Sequence, residues 1–465
     1  MTQLPLRAQL ASVLGRTAAT LSRVTGRGDG SVIGGRVGLV LEPDLLKQLA
    51  RDRKLALVSA TNGKTTTTRL ITSALTELGE VATNAFGANM PAGHVSALSA
   101  NKAAPYGVLE VDEKYLPEVL DTTGASVVCL MNLSRDQMDR AAEIWLLAQK
   151  WRRALSGKPT HVIANCDDPL VTWGASTAAK VTWVAGGQRW KEDSWSCPEC
   201  GGPLDRKGAD WACRECTFHR PEPHWVLDDD AVIDPRGDRW VLDLQLPGLA
   251  NRSNGAMALA VAEAFGLHVQ SALPRLREVT SVAGRYTTVQ RDGRAARLLL
   301  SKNPAGWLEA FDVSNPSLPI ILSVNAQGPD GRDTSWLWDV DYRILRGPSR
   351  LHHRRAPSRP GAQARRGRRA LPAVRELHRG VQRDPAGAPR RDRQLHRLPA
   401  DPIGVRPCRL TAPCAWSGST PTCSAPTATR ATCSSSSSAP AAGGSRSRPS
   451  TSAPPTRCPR PVTST

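Results

Sequence analysis

The sequence predicts an α/β fold for its first 345 residues, which suffice for two or more domains, with a small cysteine-rich insert. Short apolar runs alternate with helical patterns along this part. Such alternation is typical of a parallel sheet whose crossover helices cover both faces. Two C-x-x-C pairs interrupt the alternation. Ligands of such folds bind at the carboxyl ends of the strands, so we expect the chemistry at that edge.

The elements follow in order. Residues 1–35 form a helical segment, in which Leu6, Leu10, Val13 and Leu14 recur at helical spacing. The strands and the two clearest helices come next: Leu55–Ala60, Gly107–Asp112, Ser126–Asn132, His161–Cys166 and Val181–Ala185, then Thr65–Leu78 and Ala141–Leu155.

The turn between the first strand and the first of these helices is typical of a phosphate-binding loop. Gly63 lets the backbone approach a phosphate, and free N–H groups at a helix start attract anions. Lys64 can reach the terminal phosphates, and the Thr65 hydroxyl can bind Mg²⁺. The sequence therefore predicts nucleoside triphosphate binding by Thr61, Asn62, Gly63, Lys64, Thr65 and Thr66.

Carboxylates follow the second apolar strand. Glu110 and Asp112 end this strand and Glu113 comes next. A carboxylate there can hold the Mg²⁺ that bridges nucleotide and substrate, and Glu110 is the candidate. The alternative is a solvated strand end, which is favoured more strongly for Glu113.

Four cysteines predict a separate metal site. Cys197 and Cys200 form one C-x-x-C pair, and Cys213 and Cys216 form another, 12 residues further on. Two such pairs complete a tetrahedral Cys₄ zinc site without an open position, so the zinc is expected to be structural. The alternatives are a redox dithiol pair or free cysteines. The predicted zinc ribbon spans residues 190–223.

The charge is unevenly distributed. From Arg346 onward there are 23 arginines, no lysine and 4 acidic residues, whereas the first 345 residues hold 38 basic and 38 acidic side chains. A neutral body lacks the basic surface of nucleic-acid-binding proteins, so no nucleic-acid partner is expected.

Residues 346–465 are a low-complexity segment of Arg, Pro, Ala, Ser and Thr without sustained periodicity. Such a composition cannot bury enough apolar surface to fold. It is either a genuine disordered basic tail or, as we favour, an out-of-frame translation of a GC-rich gene. We expect no functional information in it.

No targeting signal is evident. The sequence has no 18-residue apolar run, and residues 1–35 lack the apolar centre of a secretory signal. Unpaired Cys129 and Cys166 in apolar strands fit a reducing compartment. We therefore expect a cytoplasmic location.

Further polar clusters follow later strands: Asn132–Arg140, Asn165–Pro169, Asn251 with Asn254, Gly284–Tyr286 and Ser301–Gly306. Their order resembles the Mur ligase superfamily, and within it the MurT family. The resemblance covers about residues 5–345. It rests on Ala60–Thr66, Asn84–Gly93, Arg135–Arg140, the Cys₄ insert, Lys302–Gly306 and Asp330–Trp336.

The resemblance implies a central ATP-binding domain at residues 36–290 and the start of a Rossmann-like C-terminal domain at 291–345, truncated here. It implies ATP- and Mg²⁺-dependent activation of the D-glutamate α-carboxyl of lipid II as an acyl phosphate. A partner glutaminase, GatD, would supply ammonia, and the product would be D-isoglutamine. The enzyme would act in peptidoglycan synthesis at the inner face of the cell membrane.

The resemblance also assigns roles to residues. Lys64 and Glu110 would serve the phosphoryl transfer, and Asn251 and Arg285 would contact the nucleotide. Asp333 would reach across the interface and orient a histidine of the glutaminase. Departures are Ala60 in place of glycine, the pair Ala141-Ala142, and the C-terminus, where the family's last domain continues past residue 342. Two alternatives stay open: a Mur-type or folylpolyglutamate-type amino-acid ligase, and a zinc-ribbon NTPase that binds nucleic acid through its tail.

Overall fold

The computed structural model describes residues 4–26, 30, 32–84, 87–136, 143–280, 288–290, 293–315, 317–324 and 334–345, with the backbone of 287, 291 and 351–355. Its strands in chain order are β1 (Lys54–Ser59), β2 (Val81–Thr83), β3 (Tyr106–Glu110), β4 (Val127–Leu130), β5 (His161–Asn165), β6 (Lys180–Ala185), β7 (Leu204–Lys207), β8 (Asp210–Cys213), β9 (Trp225–Asp228), β10 (Ala231–Ile233), β11 (Arg239–Val241), β12 (Thr287–Arg291), β13 (Arg294–Leu298), β14 (Ile320–Val324) and β15 (Leu351–Arg355).

The α-helices are α1 (Leu6–Val24), α2 (Ile33–Leu41), α3 (Leu45–Ala50), α4 (Lys64–Leu75), α5 (Pro91–Ala100), α6 (Leu116–Thr123), α7 (Ile144–Leu155), α8 (Pro169–Ala175), α9 (Leu249–Ala264), α10 (Val269–Arg277) and α11 (Pro304–Asp312). The five predicted strands are confirmed, and each boundary lies within two residues of its predicted place. The two predicted helices correspond to α4 and α7.

A nine-stranded sheet forms the centre, in the order β11-β10-β9-β6-β5-β4-β1-β3-β2. The seven strands from β9 to β2 run parallel, whereas β10 pairs antiparallel with both β9 and β11. The expectation of a purely parallel sheet is therefore wrong at this edge. The two residues Asp229 and Asp230 join β9 to β10, and so short a connection permits only antiparallel pairing.

Both faces of the sheet are covered, as the apolar character of its strands predicts. Along β1, Ala56 and Val58 pack with α4, α9 and α10, while Leu55 and Leu57 pack with the helices of the opposite face. Alternate residues of a strand point to opposite faces, so a strand buried on both sides reads as one continuous apolar run.

The chain leaves the sheet after β6 and returns at β9, where Val184 pairs with Trp225. The excursion carries the β7–β8 hairpin and all four clustered cysteines, and the zinc ribbon expected over residues 190–223 stays a prediction.

The C-terminal part contains the β12–β13 hairpin, α11 and the parallel pair β14–β15. Its small core comprises Trp307, Phe311, Leu322, Val340 and Leu345. Strand β15 lies beyond the break predicted near residue 345. The rest of the tail lies outside the described residues, so its origin stays a prediction.

At the other end, α1 and α2 pack together as a helical hairpin. The predicted boundary at residue 35 falls inside α2. Glycines allow the close packing, since a Cβ on Gly15 would lie 2.5 Å from the Gly34 carbonyl oxygen. Among the described helices, none combines the length and the apolar character that crossing a membrane requires.

Candidate active site

The loop between β1 and α4 has the geometry of a phosphate-binding loop. Gly63 has φ +85° and directly precedes the first residue of α4. A Cβ at this position would lie 2.7 Å from Asn254 Oδ1 and 2.8 Å from Met131 Cε. The left-handed backbone conformation therefore favours glycine here, and the ends of the Asn254 and Met131 side chains pack directly against it.

Hydrogen bonds hold this loop against the end of β4. The Asn62 N–H donates to Asn132 Oδ1 at 2.9 Å, and Asn132 Nδ2 donates back to the Asn62 carbonyl at 3.0 Å. The Thr61 N–H donates to the Asn132 carbonyl at 2.9 Å, and Thr61 Oγ1 accepts from the Ser134 N–H at 3.0 Å. The loop is thus fixed before any ligand binds.

Lys64 is buried at the N-terminus of α4 and forms an ion pair with Glu113, whose Oε2 lies 2.9 Å from Nζ. Nζ also donates to the carbonyl oxygen of Ala60. Burial alone would lower the pKa of Lys64, but Glu113, Glu110 and Asp112 outweigh it and raise the pKa above its ordinary value. The lysine is therefore a fixed positive charge. Glu113 is only 9 % exposed, so the solvated strand end considered for it is wrong.

Glu110 is buried at the end of β3, and neighbouring side chains fix its backbone. Asn84 Oδ1 accepts from its N–H, and Asn84 Nδ2 donates to its carbonyl, both at 2.8 Å. Among the described residues, its carboxylate oxygen Oε2 has no hydrogen-bond partner. A buried carboxylate oxygen without a donor is poorly stabilised as it stands, and a divalent cation would satisfy it.

His94, on α5, completes the support of Glu110. Its Nε2 lies 2.8 Å from the Glu110 carbonyl oxygen, which can only accept, so Nε2 carries the proton. Burial lowers the pKa of His94 to about 4, against a weaker upward effect of this hydrogen bond. The histidine is therefore neutral at physiological pH. The sequence analysis missed this residue, because a histidine on a helix shows no local sign of its partner.

The start of α9 lies against the phosphate-binding loop. Asn254 approaches Gly63 and donates from Nδ2 to Asn251 Oδ1 at 3.3 Å. Asn251 in turn donates to the Pro247 carbonyl at 2.6 Å. The start of α9 therefore lies beside the loop, and the nucleotide contact expected of Asn251 stays a prediction.

The C-terminal part also reaches the loop. Asn62 and Asn303 exchange two amide hydrogen bonds of 3.1 and 3.2 Å across 241 residues. Asn303 Oδ1 also caps α11 by accepting from the Gly306 N–H at 2.9 Å. Nearby, Lys302 Nζ lies 2.5 Å from Asp136 Oδ2. The sequence placed Asn303 in a motif but did not reveal this pairing.

The neighbouring strand ends extend the site. Asn165 Nδ2 donates to the Gly187 carbonyl at 3.0 Å. The Asp168 carboxylate accepts from the backbone N–H groups of Leu133, Leu170 and Val171. Burial raises the pKa of Asp168 to about 6, although these hydrogen bonds oppose the shift. Beside these ends lies a pocket lined in part by Asn62, Asn132, Asn165, Gly187, Ser253 and Asn254.

The four cysteines of the insert form a compact cluster whose sulfur atoms all lie within 4.8 Å of one another. Sγ of Cys197 lies 3.7 Å from that of Cys216, and Sγ of Cys200 lies 3.5 Å from that of Cys213. A tetrahedral ion with metal–sulfur bonds of about 2.3 Å requires sulfur separations of about 3.8 Å. The cysteine positions therefore fit one tetrahedral metal ion.

The insert is anchored to the active-site edge of the sheet. The buried Trp211 donates from its indole N–H to the Cys166 carbonyl at 3.0 Å, just after β5. Arg220 forms an ion pair with Asp167 at 2.7 Å. The N–H of Arg135 donates to Asp193 Oδ2 at 2.8 Å.

The structure brings together Thr61, Asn62, Gly63, Lys64, Thr65 and Thr66, with Glu110 and Asn251 nearby. Arg285, Asp333 and residues 137–142 lie outside the described residues, so the roles predicted for them stay predictions.

Comparisons with known proteins agree with this geometry. The family profile described as Mur ligase middle domain matches residues 58–262, and that described as MurT ligase C-terminal matches residues 300–354. The MurT subunit of lipid II isoglutaminyl synthase from Streptococcus pneumoniae is 32% identical over 371 residues, covering 73% of this chain and 82% of that protein. The chain belongs to the MurT family of Mur ligases. The corresponding Staphylococcus aureus (strain COL) subunit is 28% identical over 71% of this chain and 81% of its own length.

A solved structure supports the fold. A pseudomurein peptide ligase from Methanothermus fervidus superimposes with a TM-score of 0.54 at 17% identity, over 72% of this chain and 75% of its own. Mur ligases are ATP-dependent enzymes that use Mg²⁺. An ATP-dependent family agrees with the phosphate-binding loop before α4.

Proposed function

We propose that this chain is the synthetase subunit of a glutamine-dependent amidotransferase in peptidoglycan synthesis. It amidates the α-carboxyl of D-glutamate in lipid II, using ATP and ammonia released by a GatD-type glutaminase. Its MurT relatives are subunits of a lipid II isoglutaminyl synthase. Because the substrate is a lipid, the complex works in the cytoplasm at the inner face of the membrane.

The reaction has two steps. A carboxylate oxygen of D-glutamate attacks the γ-phosphorus of ATP, the bond to the β,γ-bridging oxygen breaks, and ADP leaves. Ammonia then attacks the acyl carbon, phosphate leaves with the bonding electron pair, and the nitrogen loses a proton to give the carboxamide. The protein's contribution is to position the reactants and to stabilise the charge of the transferring group.

The observation that carries the proposal is the charge arrangement around Lys64. A positively charged lysine, buried at a helix N-terminus and beside an unpartnered Glu110 oxygen, suits a triphosphate with its cation. Glu113 is the ion-pair partner of Lys64 in this structure. The γ-phosphate of ATP would replace the Glu113 carboxylate as the partner of the lysine. Thr65 and Glu110 would hold Mg²⁺, which neutralises phosphate charge when bound.

The remaining assignments complete the proposal. The nucleoside would lie in the pocket beside the ends of β4 and β5, near Asn251, with Arg285 as a further contact. Asp333 would orient the glutaminase histidine. Zinc would bind in the cysteine cluster and stabilise the insert. Nucleic acid is not a partner in this proposal.

The test is a reconstituted reaction of the chain, GatD, lipid II, ATP and glutamine, with conversion of carboxyl to carboxamide followed by mass spectrometry. Glu110→Gln keeps the size of the side chain but removes its charge. We expect turnover to fall by about 10²-fold or more. Glu118→Gln, on the exposed face of α6, is the matched control and should leave turnover unchanged.

Three results would count against the proposal. A product that contains an added amino acid, formed without glutaminase, would indicate an amino-acid ligase. Steeply salt-dependent nucleic-acid binding that disappears on deleting residues 346–465 would favour the NTPase alternative. Full turnover of Glu110→Gln would remove this residue from the metal site.

A further inference from the structure

The N-terminal hairpin of α1 and α2 presents an apolar face to solvent. The exposed large apolar side chains of α1 are Leu6, Leu10, Val13, Leu14, Leu21 and Val24. At about 100° per residue, these six fall within an arc of about 100° on the helix surface. The sequence analysis identified this stripe, and the structure shows that it points away from the core.

Packing fixes the outward direction of the stripe. The opposite side of α1 consists of small buried residues, Ala8, Ala11, Ser12 and Gly15. A Cβ on Gly15 would lie 2.5 Å from the Gly34 carbonyl oxygen, so no leucine fits at this contact. Rotation of α1 could therefore not bury the leucines, because only small residues fit where α1 packs against α2.

The second helix also carries exposed apolar side chains. Ile33, Val40 and Leu41 of α2 are also exposed, Val40 to 82 %. Single exposed apolar residues are ordinary, but six within one arc of α1 indicate a surface that binds something.

The charge identifies the kind of partner. Residues 1–41 hold five arginines and one acidic residue, a net of +4, whereas residues 42–345 hold 33 basic and 37 acidic residues. Arg16 and Arg23 lie beyond one border of the apolar arc and are exposed, whereas Arg7, at the other border, is exposed but pairs with Glu42 at 3.5 Å. A leucine-rich face flanked by arginines is typical of helices that lie in the interface of an anionic membrane.

We propose that the exposed apolar face of α1 is a membrane-docking surface that binds anionic phospholipid. It lies flat, with the apolar stripe among the acyl chains and the arginines at the headgroups. This inference deepens the proposed function, because docking would bring the active site to a lipid-linked substrate. Its test is independent of that function, since vesicles without lipid II or ATP suffice.

The experiment is co-sedimentation of the full chain with equimolar phosphatidylglycerol–phosphatidylcholine vesicles at low salt and at about 1 M salt. At about 1 M the Debye length is about 3 Å, so attraction by the basic tail is suppressed while apolar insertion persists. The test variant is Leu10→Gln/Leu14→Gln/Leu21→Gln. The control removes three equally exposed apolar side chains elsewhere: Leu298→Gln/Leu318→Gln/Ile321→Gln.

We expect the unchanged chain and the control to stay bound at high salt, and the test variant to lose at least about tenfold in partitioning. Equal binding of test variant and unchanged chain, or no high-salt binding of the unchanged chain, would overturn the proposal. So would a dimer in sedimentation velocity that the test variant abolishes, since the face would then bind protein. If the triple variant fails to fold, Leu6→Gln/Val24→Gln, at the two most exposed positions of α1, repeats the test.

Discussion

His94 couples the stability of the active-site edge to pH. Its folded-state pKa of about 4 lies well below the ordinary value of 6.5, because the ring is buried. The unfolded state therefore binds the proton more tightly. The neutral ring contributes stability above pH 6.5, and that contribution is lost as the pH falls through about 4.

The magnitude follows from the shift. A difference of about 2.5 pKa units corresponds to about 3 kcal/mol in full. Between about pH 7.5 and pH 5, only part of this is lost, about 2 kcal/mol. Asp168, whose pKa is raised to about 6, acts in the opposite direction, since its burial favours the folded state as the pH falls. A profile of stability against pH for the unchanged protein alone would combine the effects of His94 and Asp168. The contribution of His94 is therefore measured as the difference between the unchanged protein and a His94 variant.

The variant is His94→Gln, which does not titrate and can still donate a hydrogen bond to the Glu110 carbonyl. Urea unfolding is measured for both proteins at about pH 7.5 and pH 5. We expect the loss in free energy of unfolding on acidification to be smaller in the variant by about 2 kcal/mol. Asp168 and the cysteine cluster are unchanged in the variant, so their contributions cancel.

His268→Gln, at an exposed histidine before α10, is the matched control and should show the same acid loss as the unchanged protein. Identical acid losses for His94→Gln and the unchanged protein would refute the reasoning. The ring would then be hydrated or protonated in the folded state, and the hydrogen bond to Glu110 would not require a neutral imidazole.

Three more outcomes are expected. Elemental analysis should find one zinc per chain, lost in Cys200→Ser together with part of the thermal stability; a zinc-free but equally stable protein would contradict the structural role. Asn303→Ala should lower the free energy of unfolding by about 1–3 kcal/mol and weaken ATP binding, because it leaves the Asn62 amide unpaired. Asn303→Asp retains the cap of α11 and should lower the free energy of unfolding by less. Resequencing the codons of residues 335–465 should reveal a frame that restores alternating strands and helices after residue 342; confirmation of the printed frame would make the basic tail genuine.

Much of the fold was predictable from local patterns. The strands are apolar on both faces, so their positions could be read to within two residues. The antiparallel edge was not predicted, because β10 and β11 have three residues each and show little periodicity. The loop and the cysteine pairs were predictable because the residues of each motif are close in sequence.

Local sequence patterns were enough to predict a phosphate-binding loop, a cluster of four cysteines and an alternation of strands and helices. The ion pair of Glu113 with Lys64 and the unpartnered oxygen of Glu110 could be seen only in the folded arrangement. The exposure of the α1 leucines likewise follows from how this helix packs. A sequence motif consists of neighbouring residues, whereas the burial and pairing of a side chain depend on which distant segments pack together.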